Sequence, residues 1–192
     1  VQLLFATHNK NKVFEVNNLL GDGCEILNLS DIGCEQDIPE TGLTLEENAL
    51  IKARFVQAAY HLDCFADDSG LEIAALNNAP GVFSARYAGE AKNDEANMQK
   101  VLMAMEDAMD RRAQFRTVIA LLVKGEEHLF EGIIKGHITQ EKIGTKGFGY
   151  DPIFIPEGFD RTFAEMEIEE KNKISHRAIA VKKLVEFLKG TR

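Results

Sequence analysis

Cysteine is scarce in this 192-residue sequence. Cys24, Cys34 and Cys64 are the three present, and no two stand at C-x-x-C spacing. That excludes a zinc knuckle or a disulfide framework and leaves buried thiols in a reducing compartment. No stretch approaches the roughly 18 to 20 consecutive apolar residues of a membrane span. The opening "VQLLFATHNKNK" has neither the basic start nor the small-residue cleavage site of a secretory signal. The expectation is therefore a cytoplasmic protein that engages no membrane. Internal repeats, low-complexity tracts and linkers are missing as well. Positive charge is in deficit: 22 Lys and Arg against 31 Asp and Glu give a net charge of −9. A sequence-independent nucleic-acid surface is thus not expected. A small anionic ligand stays admissible, because a local basic pocket can sit in an acidic protein.

What is present suits one soluble domain over residues 1–192, with 45% apolar and 28% charged residues. "QLLFAT" (2–7) reads as a buried strand. Val13, Val16, Leu19 and Leu20 then recur at helical spacing, with Gly21 as the stop, and "EILNL" (25–29) alternates as a second strand. This opening predicts an α/β architecture. "TLEENALIKARFVQAAYHL" is the clearest helix, with Thr44 and Glu47 at capping-box spacing. "CFADDSGLEIAAL" predicts strand, loop, strand, and "VFSARY" (82–87) alternates as a further strand after a turn at 77–81. "DEANMQKVLMAME" predicts a helix with Met98, Val101, Leu102 and Met105 on one face. "FRTVIALLVKGEEHLFEGIIKG" predicts a hairpin turning at Gly125-Glu126-Glu127, and residues 144–152 a glycine-rich loop. "SHRAIAVKKLVEFLKG" predicts a closing amphipathic helix.

Five constellations could carry chemistry. In "THNKNK" (7–12), amides opening a helix attract anions, and Lys10 and Lys12 oppose the helix dipole unless an anion joins them; the alternative is a pair of solvated lysines. No Walker A pattern is present. Glu40 in "IPETG", with Asp67 and Asp68 in "ADDSG", would form a hard oxygen-rich group suited to magnesium; the alternative is a turn made by Asx hydrogen bonds. Lys52 lies on a mostly apolar helical stripe, where it either snorkels outward or points into a polar cavity. Phe148, between Gly147 and Gly149, either stacks on a planar base or folds back into the core. Lys171, Lys173, His176 and Arg177 gather around the start of the last helix, with Ser175 as its expected cap, either to meet a ligand or as a solvated charge run. His61, His128 and His137 read as structural or surface residues, and Arg86 could serve a phosphate or an ion pair.

Six segments in order, "ATHNKNK", "ETGLTLEENALIKA", "ADDSGL", "APGVFSARYAG", "KGFGYDPIF" and "EEKNKISHR", resemble the signatures of the inosine triphosphate pyrophosphatase family over essentially the whole chain. The resemblance implies a long mixed sheet with helices in two lobes, an active-site cleft between them, homodimers and Mg2+. It implies hydrolysis of non-standard purine nucleoside triphosphates (ITP, dITP, XTP) to the monophosphate and pyrophosphate. A nucleotide-binding regulator without turnover and a pyrophosphatase of broader specificity are the alternatives. Residue by residue, Asp68 resembles the catalytic proton acceptor and a metal ligand, and Glu40 the second metal ligand. Thr7, His8, Asn9, Lys10, Asn11 and Lys12 resemble the phosphate-binding segment, with Lys52 and Ser69 as further substrate contacts. Phe148, Gly149, Tyr150 and Asp151 resemble the nucleoside-binding loop, and Lys171, His176 and Arg177 the group near the base. Many members carry Thr-Gly-Asn where this chain has Thr7-His8-Asn9, which predicts a local difference in backbone there.

Overall fold

The first strand, β1 (Gln2–Phe5), pairs in parallel with β2 (Glu25–Asn28), in register from Gln2 opposite Glu25 to Phe5 opposite Asn28. Helix α1 (Lys10–Leu20) connects them. The computed structural model describes residues 2–20 and 25–190, so the helix stop expected at Gly21, and Cys24, lie outside the described residues. After α2 (Leu45–Tyr60), strand β3 (Cys64–Ile73) pairs in parallel with β1, with Phe5 opposite Phe65. Then follow α3 (Asp94–Ala104), β4 (Arg112–Val123), β5 (Glu126–Ile138), the short β6 (Phe154–Pro156), α4 (Ile168–Ile174) and α5 (His176–Gly190). The strands form one mixed six-stranded sheet in the order β2-β1-β3-β4-β5-β6, with β6 antiparallel to β5. Among the described residues no helix is long and apolar enough to cross a membrane.

The chain divides into two compact units. The first comprises Val1–Asp68, Thr117–Gly132 and Arg177–Arg192. Its core is Phe5, Phe65, Ile119 and Leu121 from the strands, covered by Val16 of α1 and Ala180, Val181 and Leu184 of α5. The Phe5 and Phe65 rings stack with centroids 4.5 Å apart. Fully burying each such ring contributes about 1.5 to 3 kcal/mol. The second unit comprises Ser69–Arg116 and Ile133–His176. Phe115, Phe154 and Phe163 pack together there with Met98, Val101 and Met105 of α3. Arg111 donates to the carbonyls of Met105, Ile138 and Thr139 at 2.6–2.8 Å, tying the end of α3 to the end of β5.

Local signals placed α1, α2, α3 and α5; α4 was not expected. Thr44 and Glu47 make both halves of the capping box, and Asn93 caps α3 through the Ala96 amide. Met98, Val101 and Met105 are buried as the spacing requires, with Leu102 packed beside them. Three strand expectations need correction. "ADDSG" is not a loop: β3 runs unbroken from Cys64 to Ile73. "VFSARY" is not a strand but lies in a 3-10 helix, Gly81–Arg86, whose Ser84 hydroxyl donates to the Gly81 carbonyl at 2.6 Å. Its alternation marked no buried face, since Phe83 is 56% exposed. The hairpin turns one residue earlier than expected, on Lys124 and Gly125, both with positive φ (51° and 80°), the geometry that matches strand twist in two-residue turns. Ser175 is the C-cap of α4 as well as the residue before α5.

Candidate active site

The first unit gathers charge around the first half of β3. The segment after β1 is built from short side chains that satisfy their own backbone. Thr7 Oγ1 accepts from the Asn9 amide at 3.1 Å. Asn9 Oδ1 caps α1, accepting from the amides of Asn11 at 3.0 Å and Lys12 at 3.2 Å. Lys10 and Asn11 are exposed. His8 takes no left-handed conformation: the non-glycine positive-φ positions among the described residues are His61, Asn77, Asn78, Lys92 and Lys124. A ring nitrogen of His8 instead lies 3.1 Å from the Gln36 carbonyl. The backbone at Thr7-His8-Asn9 therefore needs no glycine.

Within β3 successive side chains point to opposite faces. Phe65 and Asp67 share the face covered by α1 and α5. Cys64 and Asp68 share the face toward α2, where the Cys64 thiol meets the Ala53 carbonyl at 3.3 Å. Asp67 receives Lys12 Nζ of α1 at 2.9 Å and Arg177 Nε of α5 at 3.2 Å. Arg177 also pairs with Glu15 of α1. Asp68 faces Lys52 Nζ of α2 at 3.8 Å, and the same ammonium holds Glu40 Oε1 at 3.0 Å. Lys52 therefore points into a polar cluster and does not snorkel.

These two carboxylates titrate in opposite directions. Burial would push Asp67 up, but Lys12, Arg177 and Lys52 together hold it well below the usual carboxylate range. Burial also acts on Asp68; there Lys52 and Lys12 oppose it, Glu40 and Asp67 reinforce it, and the carboxyl ends raised. Burial pushes Lys12 down more than Asp67 restores it. For Lys52 burial is outweighed by Asp68, Glu40 and Asp67, so its ammonium is held more firmly than usual. Arg177 likewise keeps its charge against burial through Glu15 and Asp67. Glu15, Glu40, Asp67 and Asp68 outnumber Lys12, Lys52 and Arg177 by one carboxylate. Burial is what raises Asp68, and the two lysines do not fully offset it. A carboxylate displaced upward in a polar cluster has the character of a general base.

The expected oxygen-rich trio is reduced by this geometry to a pair. Asp67 faces away, and Glu40 and Asp68 converge through Lys52. Among the described residues no group of three His, Cys, Asp or Glu is arranged around a metal position. Two carboxylates nevertheless fit magnesium, which takes one or two from protein and the rest of its ligands from phosphate and water.

The second unit carries the remaining candidates, and Ser69 follows Asp68 there on β3, half-buried. Asp151 is the hub of the Phe148–Asp151 loop. Its Oδ2 accepts from the Phe148 amide at 3.1 Å and from Lys171 Nζ at 2.7 Å. Asp151 and Lys171 are each 3% exposed. The Lys171 ammonium stands 5.0 Å from the Phe148 ring centroid and 5.5 Å from that of Phe163. Asp94 accepts from the Gly149 amide at 2.9 Å, and the buried Tyr150 hydroxyl donates to the Ser84 carbonyl at 2.6 Å. Gly147 has φ 71°, and any side chain there would collide with the Asp151 carboxylate. Phe148 itself is only half-buried. His176 stacks on Phe115 with centroids 4.8 Å apart.

Sequence reasoning missed Asp67 as a charge clamp, and it missed Glu15 altogether. Glu15 sits mid-helix with no local sign of its partner 162 positions away. Arg86 pairs with Glu90 at 3.9 Å. Cys34 and Cys64 are buried free thiols, and burial pushes Cys64 up to about 12, leaving it inert.

Comparison with known proteins gives one answer. The Ham1 family model matches residues 3–187. The dITP/XTP pyrophosphatase of Christiangramia forsetii is 58% identical over 188 residues, covering 98% of this chain and 99% of that protein. The protein of the same name from Bacillus subtilis is 47% identical over 193 residues, covering 98% of each. Among solved structures, the Staphylococcus aureus Ham1 protein matches with a TM-score of 0.90 at 41% identity over 100% of both chains. A HAM1 protein from Coxiella burnetii matches with a TM-score of 0.90 at 43% identity over 99% of both.

Proposed function

The chain belongs to the Ham1 family, and we propose that it is a nucleoside triphosphate pyrophosphatase that hydrolyses dITP, ITP and XTP to the monophosphate and pyrophosphate. The observation that carries this reading is the meeting of Glu40 and Asp68 at Lys52, with Asp68 displaced upward. Glu40 and Asp68, together with substrate phosphates, would hold magnesium, which when bound would supply charge neutralisation and a more acidic water. Asp68 accepts the proton of the attacking water. The new bond forms at the α-phosphorus, the α–β anhydride breaks, and pyrophosphate leaves. Lys10, Lys12 and Lys52, with the positive end of α1 and the polar side chains of Thr7, His8, Asn9 and Asn11, offset charge that moves onto the departing phosphates. Ser69 is a further substrate contact.

Base recognition is assigned to Phe148, Gly149, Tyr150 and Asp151, with Lys171, His176 and Arg177 as the base-side group. The Asp151–Lys171 pair supports it by fixing the loop so that Phe148 can stack on a purine. Arg177, tied to Asp67 and Glu15, has the least freedom to take this part. Hypoxanthine and xanthine carry a carbonyl at C6, which accepts from donors, whereas adenine carries an amino donor. Donor facing donor costs about 1 to 3 kcal/mol, roughly ten- to a hundred-fold in selectivity. A homodimer working in the cytoplasm completes the proposal, and it clears these nucleotides from the pool.

The test is product analysis with dITP, XTP, dGTP and ATP in Mg2+. Monophosphate and pyrophosphate from dITP and XTP, with dGTP and ATP poorly cleaved, is the expected result. Orthophosphate release without pyrophosphate overturns the reaction. Tight dITP binding without turnover would make the protein a regulator, and equal kcat/KM for all four would make it a broad pyrophosphatase.

A further inference from the structure

Glu40 lies in a segment without regular secondary structure, residues 38–42. A metal ligand must nonetheless be held to about 0.5 Å to work. Helix α2 supplies the holding. Glu47 Oε2 accepts from the amides of Leu43 at 2.5 Å and Thr44 at 3.3 Å. Lys52 Nζ grips the Glu40 carboxylate at 3.0 Å. Asn48 lies one helical turn before Lys52, on the same face, and its Oδ1 accepts from the Gly42 amide at 2.8 Å.

Asn48 is a costly residue for that place. It is 1% exposed, and among the described residues its Nδ2 meets no acceptor. A buried amide with half its capacity unused destabilises the fold relative to an apolar side chain. Gly42 is fitted to it: a Cβ there would lie 2.7 Å from Asn48 Oδ1 and 2.6 Å from Glu47 Cβ. The loop backbone is thus seated directly on Asn48, two residues from Glu40. Lys52 seats the carboxylate and Asn48 seats the chain that carries it.

We infer that Asn48 is a positioning residue for Glu40, fixing the loop so that this carboxylate is presented to the metal. The inference rests on the reading of Glu40 as a metal ligand. It is tested with the full chain and Mn2+ alone, followed by water-proton relaxation, alongside the Mg2+ dependence of dITP turnover. Asn48→Ala weakens Mn2+ binding and raises the half-saturating Mg2+ by about ten-fold or more, as loss of a supporting shell does. Asn48→Asp, which keeps the acceptor oxygen, recovers most of the loss. Gly42→Ala, which pushes on the same contact from the loop side, reproduces the metal defect and decides the matter should Asn48→Ala not fold. Metal constants unchanged from wild type in the folded variants overturn the inference, whatever happens to stability. Wild-type protein that binds Mn2+ without cleaving dITP overturns the proposed function and leaves this inference standing. Mn2+ binding indifferent to Glu40→Gln overturns the inference at its base.

Discussion

Asp67 and Asp68, adjacent in β3, send their carboxylates to opposite faces of the sheet: Asp67 to Lys12 and Arg177, Asp68 to Lys52. The pleat separates two like charges that would otherwise repel, and it gives them different tasks. Asp67 is neutralised and structural. Asp68 is buried with less compensation and titrates upward.

Asp68→Asn separates activity from stability. The folded-state pKa of Asp68 is raised, so its favourable contribution is complete below the unfolded value of about 3.9 and is lost as pH rises through the folded value. At pH 7 the ionised group strains the fold. The neutral amide is expected to melt at the same or a higher temperature at pH 7 while dITP turnover falls by about 10²- to 10⁴-fold. An active, well-folded variant removes Asp68 from the chemistry.

Asp67→Asn has the opposite sign. Its folded pKa is depressed, so its contribution is present above about pH 3.9 and is lost as pH falls through the lower folded value. Removing the charge leaves Lys12 and Arg177 buried beside an uncharged group, a change that costs about 3 to 5 kcal/mol in comparable buried pairs. Urea unfolding at pH 7 measures the loss. The same experiment across the acid range is expected to show a shallower decline than in wild type.

Lys52 holds Asp68 down against burial. Lys52→Gln therefore raises the Asp68 pKa further and moves the acid limb of the kcat/KM profile for dITP to higher pH. Lys52→Arg keeps the charge and leaves the limb near its original position. A limb that does not move in Lys52→Gln assigns the proton acceptor to another group.

Phe148→Ala leaves the Asp151–Lys171 pair and the Gly149–Asp94 hydrogen bond in place. The loop keeps its path, and the lost stacking face is expected to appear as a higher KM for dITP with kcat largely retained. An unchanged KM takes Phe148 out of base recognition.

Helices α1, α2, α3 and α5 were legible because their signals are local, whereas α4 was read only as a charge cluster before the last helix. A Thr-x-x-Glu capping box and apolar residues at three- and four-residue spacing act within one or two turns, and α2 and α3 formed where those signals stand. "VFSARY" failed as a strand because alternation was read without knowing whether anything covered it. "ADDSG" failed as a loop because turn-forming side chains were met by distant partners: Asp67 found Arg177, 110 positions away, and the strand continued. The candidate site divides in the same way. Residue types and their order along the chain marked Glu40, Lys52 and Asp68. The face each would occupy could not be read from them, nor could the roles of Glu15 and Asn48.

Sequence alone determined four of the helices, the chemical inventory and the family, because capping, periodicity and the order of short motifs are properties of neighbouring residues. Tertiary structure decided which carboxylate is quenched and which is poised. That outcome depends on burial and on distances to lysines and arginines brought from other elements, and neither quantity exists until the chain has folded.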